Sequence, residues 1–133
     1  MQCVVFYEGW QMECCGTEFS VGDTVKWLVM KAETLNTPVN VGGIDYCYEA
    51  HDSDWQKLFV LSGTVEAIKI LYHKYSASPN ASRLLIPVSG ETIETKRAKG
   101  FDKEINGMES CGYIVTLNEY TIRPAKEAEV TFC

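Results

Sequence analysis

Two adjacent thiols at the tip of a turn are the most chemically suggestive residues in this chain. Cys14-Cys15-Gly16-Thr17 reads as a tight bend carrying two soft ligand atoms. Further along, Ile44-Asp45-Tyr46-Cys47-Tyr48-Glu49-Ala50-His51 alternates as a strand does. Cys47, Glu49 and His51 then share one face, with Tyr46, Tyr48 and Ala50 on the other. Thiolate and imidazole suit tetrahedral zinc, so Cys14, Cys15, His51 and Glu49 form a candidate metal set. Strand residues two apart lie roughly 6.5–7 Å apart at Cα, so Glu49 and His51 reach one ion without strain, whereas adding Cys47 needs a bent strand. The spacing is not CxxC. The structural alternative is that these cysteines are small core residues, because free cysteine is among the most buried residue types.

The same residues allow a second chemistry, with Cys14 or Cys15 as thiolate nucleophile, His51 as base and Glu49 as orienting carboxylate. A thiol-dependent enzyme or redox sensor is therefore the alternative function. A helix N-terminus that would lower a thiol pKa is missing from the pattern, although the backbone amides of Gly16 and Thr17 could serve as oxyanion donors. Phosphate-binding glycine loops, HExxH, paired-acid motifs and EF-hand spacing are absent.

A third reading needs no reaction at all. Small barrels of the SH3-like kind bind through aromatic side chains on a concave face. Of Trp10, Trp27, Trp55, Tyr46, Tyr48 and Tyr113, most belong in a core; Tyr48 and Trp55 are the two expected to be partly exposed and to form a binding surface.

The elements that must position these residues read mostly as strands. Cys3–Glu8 is a first strand, rich in β-branched and aromatic residues. Trp10–Phe19 reads as a loop or irregular hairpin, with Trp10, Met12 and Phe19 folding back onto the domain. Val25, Trp27 and Val29 alternate with polar or mixed positions in a strand running to about Lys31. A polar excursion closed by Gly42-Gly43 follows. Asp54 precedes a short helical turn at Trp55-Gln56-Lys57. Leu58–Tyr75 is the longest strand; its apolar parity changes between Val65 and Ile68, which predicts a bulge near Glu66-Ala67. Ser76–Ser82 is a small, polar loop. Pro87 places Leu84–Val88 at a sheet edge or a bulge. Glu91–Asn106 reads as an exposed hairpin or loop, Cys111–Ile122 as a strand, and Val130–Phe132 as a last edge strand.

One domain spanning residues 1–133 is expected at this length, long enough to bury a core without disulfides. The architecture expected is mainly β: a small SH3-like or related β-barrel of five to seven strands, with a long polar insertion after the second strand and at most one short helix. A net charge of −6 argues against nucleic acid as partner. The one basic cluster, Lys96, Arg97 and Lys99, is flanked by Glu91, Glu94, Asp102 and Glu104. No apolar run approaches the ~20 residues that span a bilayer, and no leader pattern opens the chain, so a cytoplasmic protein with reduced thiols and no membrane partner is expected.

Trp10–Thr17, then Phe19-Ser20-Val21-Gly22-Asp23 and Val25-Lys26-Trp27, resembles the opening of an uncharacterised family of small bacterial proteins. Tyr48–His51 and Gly63–Ile68 are similar to that family's middle section, and the likeness covers about half the chain. It implies that Cys14, Cys15, Gly16, Glu49 and His51 belong to one constellation. Where members carry a second histidine after the one matching His51, this chain has Asp52, which speaks against a two-histidine site. The function expected is a binding or regulatory module for a protein or small-molecule partner, with zinc as the possible metal.

Overall fold

A computed structural model describes residues 1–14, 16–32, 35, 37–49 and 54–129, with the backbone alone at 14, 81 and 82. Alternating side chains build almost everything in it. The strands are β1 (Gln2–Glu8), β2 (Phe19–Ser20), β3 (Thr24–Lys31), β4 (Tyr46–Tyr48), β5 (Phe59–Ser78), β6 (Ala81–Thr95), β7 (Arg97–Ala98) and β8 (Glu109–Pro124). One α-helix, α1 (Gly9–Cys14), and two single 3₁₀ turns complete the described elements.

Six strands form one sheet in the order β3-β4-β1-β8-β5-β6, and β3 also pairs with β5, so five of them close into a ring. Only β1 and β4 run parallel, with Val5 opposite Tyr46 and Phe6 opposite Cys47. The short β2 and β7 pair separately.

The period of two sorts each strand between the inside and outside of that ring. Cys3, Val5 and Tyr7 of β1, Tyr113, Val115 and Leu117 of β8, and Tyr48 of β4 enter the central core. Val4, Phe6, Cys47 and Ile114 point the other way into a second cluster. On β5 the inward set shifts from Leu61 and Val65 to Ile68, Ile70 and Tyr72. A register shift against β8 between Val65 and Ala67 accounts for it: one extra residue flips all the side chains that follow. Pro87 stands opposite Tyr75 on the outermost strand, beside a further register shift, so the missing N–H costs no ladder bond to a third strand.

The outside of the ring is also partly apolar. The excursion between β3 and β4 covers it with Leu35, Val39, Val41 and Ile44, packed on Phe6, Leu71 and Ile114. Asp45 fastens the end of this excursion to β1: its backbone N–H donates to the Val4 carbonyl (2.9 Å), and its Oδ2 accepts from the Val4 N–H (2.8 Å).

Four expectations need correction. The loop expected at Ser76–Ser82 shrinks to a turn at Pro79-Asn80, because β5 runs on to Ser78 and β6 pairs with it from Ala81. Residues 9–14 are helical, not loop, because Gln11 and Met12 must both turn onto the ring while Trp10, expected to pack, stands 51% exposed. The charged stretch from Glu91 begins as sheet: β6 runs on to Thr95 because β5 supplies partners as far as Ile68. Tyr48 is buried, not partly exposed, because its ring lies inside the closed circle of strands. The last expected strand, Val130–Phe132, lies outside the described residues.

Candidate functional site

The end of the ring nearest α1 gathers the chemistry-bearing sequence. Tyr7 and Tyr48 stack there with ring centroids 3.8 Å apart and planes at 11°. Trp27 meets both edge-on, at 5.3 and 6.1 Å, and Phe19 sits 5.0 Å from Trp27. These aromatics pack against one another in the interior of the ring.

Helix α1 closes over this cluster. The buried Gln11 side chain donates from Nε2 to the Tyr48 carbonyl (3.0 Å), tying the helix to the end of β4. At the C-terminal end of α1, the Gly16 N–H donates to the Gln11 carbonyl (3.0 Å) and the Met12 carbonyl (3.2 Å), ending the helix. Glycine is required there because a Cβ would overlap the Tyr7 hydroxyl. The segment bearing Cys14 and the strand leading to Glu49 therefore flank the same tyrosine pair.

The proposed ligands themselves are only partly visible. Cys15 and His51 lie outside the described residues, and so does the Cys14 side chain. Among the described residues no group of three or more His, Cys, Asp or Glu side chains is arranged to hold a metal. Trp55 is half-buried on a 3₁₀ turn that Asp54 caps by accepting from the Gln56 N–H (3.3 Å).

Two of the described thiols, Cys3 and Cys111, are poor nucleophiles. Burial pushes both Cys3 and Cys111 up to about 11. Cys111 in addition donates to the Leu71 carbonyl (3.3 Å). Burial also raises Tyr7 far above the usual phenol range, helped by its hydrogen bond with Tyr48. Tyr113 is raised as well, first by burial and then by Asp102, whose carboxylate accepts its hydroxyl proton.

Two features were not predicted from sequence. One is a two-stranded ribbon: β8 pairs with β5 only as far as His73, and β5 and β6 continue alone to Ser78 and Ala81. Leu84, Leu85 and Val88 lie on this ribbon at 56%, 62% and 48% exposure. The unbroken apolar run Leu84–Val88 is the signal, but such a run cannot say that a third strand is missing. The other is a cleft of about 400 Å³ between the tip of the excursion and the outside of the ring.

The sequence profile of a family of unknown function (DUF6578) matches residues 1–119. The chain belongs to that family. Its match takes in α1, the ring, the ribbon and most of β8, so both the thiol bend and the ribbon are within the shared region. Neither the curated proteins nor the solved structures contain a match to the chain.

No helix among the described residues is long and apolar enough to cross a membrane.

Proposed function

We propose that this DUF6578 chain is a cytoplasmic binding module, not an enzyme, which docks a protein through the β5–β6 ribbon. The carrying observation is the concentration of exposed apolar side chains: Leu84, Leu85 and Val88 fall within five residues of one outermost strand. Pro87 and the adjacent register shift blunt the free edge, so contact through the ribbon's side chains is favoured over strand addition. Charge defines the partner. Residues 74–90 contain Lys74 and Arg83 and no Asp or Glu, in a protein of net charge −6. An acidic partner surface with an apolar patch complements this arm. A lipid surface suits it less, because the turn at Pro79-Asn80 would enter first and is polar. Closure of five strands about one aromatic interior supports reading the fold as a small barrel related to the SH3-like kind.

A photo-crosslinking residue at Leu85 tests this, followed by titration of the purified crosslinked protein. The expected result is an acidic partner whose affinity falls at least about tenfold on Leu84→Ser/Leu85→Ser and on Arg83→Glu, with unchanged thermal stability. Crosslinks only to a second copy, binding to anionic vesicles, or an affinity indifferent to these substitutions would overturn the reading.

A second reading is a zinc site of Cys14, Cys15, His51 and Glu49 at the end of the ring. The Gln11–Tyr48 hydrogen bond supports it, since it joins the helix before the thiols to the strand before Glu49. Stoichiometric zinc in protein purified without chelator, lost in Cys14→Ser/Cys15→Ser, is the expected result; metal-free protein with a fast-reacting thiol would point instead to the thiol-dependent alternative.

A further inference from the structure

The cleft beside the 35–44 excursion has a composition that selects a ligand class. Val4 of β1, Ala67 of β5 and Ile114 of β8 form an apolar floor, and Val41 overhangs it. Lys69 is the one ionisable side chain lining the cleft, with the hydroxyls of Thr92 and Thr116 beside it. All the floor residues are outward-facing positions of the ring. Such positions normally meet water, yet Ile114 is only 6% exposed, and the excursion covers part of this apolar strip and leaves the rest open as the cleft.

No carboxylate side chain lines the cleft itself. Glu94 is the cross-strand neighbour of Lys69 on β6 but does not line the cleft. Asp45 is engaged with the Val4 N–H, and Glu66 accepts from the Gln2 amide. Among the described residues no ion pair involves Lys69.

We infer that this cleft binds a small amphipathic anion, an apolar body lying on Val4, Ala67 and Ile114 with one carboxylate held by Lys69 and the threonine hydroxyls. One cation matches one negative charge; a polyphosphate would need several. A volume of about 400 Å³ falls at the small end of ligand sites, which suits a medium-chain or single-ring acid. Because the roof is the excursion, such a ligand would also fix residues 40–42 against the sheet. This site is on the outside of the ring under the excursion, apart from the ribbon, and stands independently of the docking proposal.

Amide chemical shifts of the full chain, followed during titration with octanoate, octylamine and 1-octanol, test it. Saturable shifts at Val41, Thr92 and Thr116 are expected with octanoate, with 1-octanol about fivefold weaker and octylamine weaker still. Lys69→Met should weaken octanoate about fivefold, the upper end for an exposed ion pair, and Lys69→Arg should keep the affinity. Octylamine binding as well as octanoate, an unchanged affinity in Lys69→Met, or no saturable shift with octanoate up to about 10 mM would overturn the assignment.

Discussion

Gly16 rests on the hydroxyl of Tyr7 so closely that no side chain fits between them, and the Met12 Cα stands 2.7 Å from where a Cβ would be. Gly16→Ala must therefore push the thiol bend away from the ring or displace Tyr7 from its stack on Tyr48. Overpacking of this kind costs about 1–3 kcal/mol. Urea unfolding should show that loss, and adding Tyr7→Phe should recover part of it by removing the overlapping oxygen. An unchanged midpoint in Gly16→Ala would mean that the bend does not depend on this contact.

Burial makes the Cys3 and Cys111 thiols unreactive. Cys3 is 2% exposed and, like Cys111, holds its proton to about 11, so neither presents a thiolate near neutral pH. Alkylation at pH 8 with mass mapping should leave Cys3 and Cys111 unmodified in the native protein and modify both in denaturant. Rapid native labelling of Cys3 would show that β1 opens far more readily than its burial implies.

Much of the ring could be read from sequence because its information is local. Val25, Trp27 and Val29 mark the inward face of β3, and the parity change between Val65 and Ile68 marks the bulge that lets β5 serve two sides. Helix α1 escaped because its burial runs against polarity: Gln11 is buried to satisfy the Tyr48 carbonyl, while Trp10 faces outward and donates to Glu8 (2.6 Å). A helix of six residues has too few turns to show a period. Tyr48 was legible as sharing a face with Tyr46, but its exposure depended on Tyr7 and on the parallel pairing of β1 with β4, which no local pattern encodes. Of the candidate thiol site, the residue types could be read, whereas the tie between α1 and β4 could not, since it rests on one side chain, Gln11, reaching across to the Tyr48 carbonyl.

His73 makes stability depend on mild acid. It is 6% exposed, with Nε2 hydrogen-bonded to Thr37 Oγ1 (2.7 Å) and Nδ1 at 3.5 Å from the Tyr75 hydroxyl. Burial lowers its pKa below the ordinary 6.5. The folded protein thus keeps His73 neutral where the unfolded chain already binds a proton. Stability from this group is complete above pH 6.5 and declines as pH falls from there towards the lower folded value. Urea midpoints should drop over that window, and the His73→Gln variant, less stable throughout, should lose this part of the slope. The same acid step should loosen residues 37–44, because Thr37 is hydrogen-bonded to His73 of β5; equal slopes in both proteins would assign the acid sensitivity elsewhere.

Two buried phenols hold the loop after β7: the Tyr72 hydroxyl donates to the Lys103 carbonyl (3.2 Å), and Tyr113 grips the start of the loop. Tyr113 is 1% exposed; its hydroxyl donates to Asp102 Oδ2 and accepts from the Gly100 N–H (2.9 Å). Gly100 adopts φ +83°, open to glycine at little cost, and a Cβ there would meet Met12 of α1 at 3.0 Å. The Tyr113 phenol therefore ties β8 to this loop, which lies against Met12 of α1. Asp102→Ala leaves a buried hydroxyl donor without its acceptor, at a cost of about 1–3 kcal/mol. Tyr113→Phe removes donor and acceptor together and orphans the Gly100 N–H instead. In a double-mutant cycle the two losses should fall short of adding, because the Tyr113–Asp102 bond is already gone in either single variant and only the Gly100 N–H contact is left for Tyr113→Phe to break. Hydrogen exchange at Gly100 should quicken in Tyr113→Phe, and amides of α1 should follow if the loop supports the helix. Full additivity, with α1 protection untouched, would mean that Asp102 and Tyr113 stabilise the fold separately and that the thiol bend is held by Tyr7 alone.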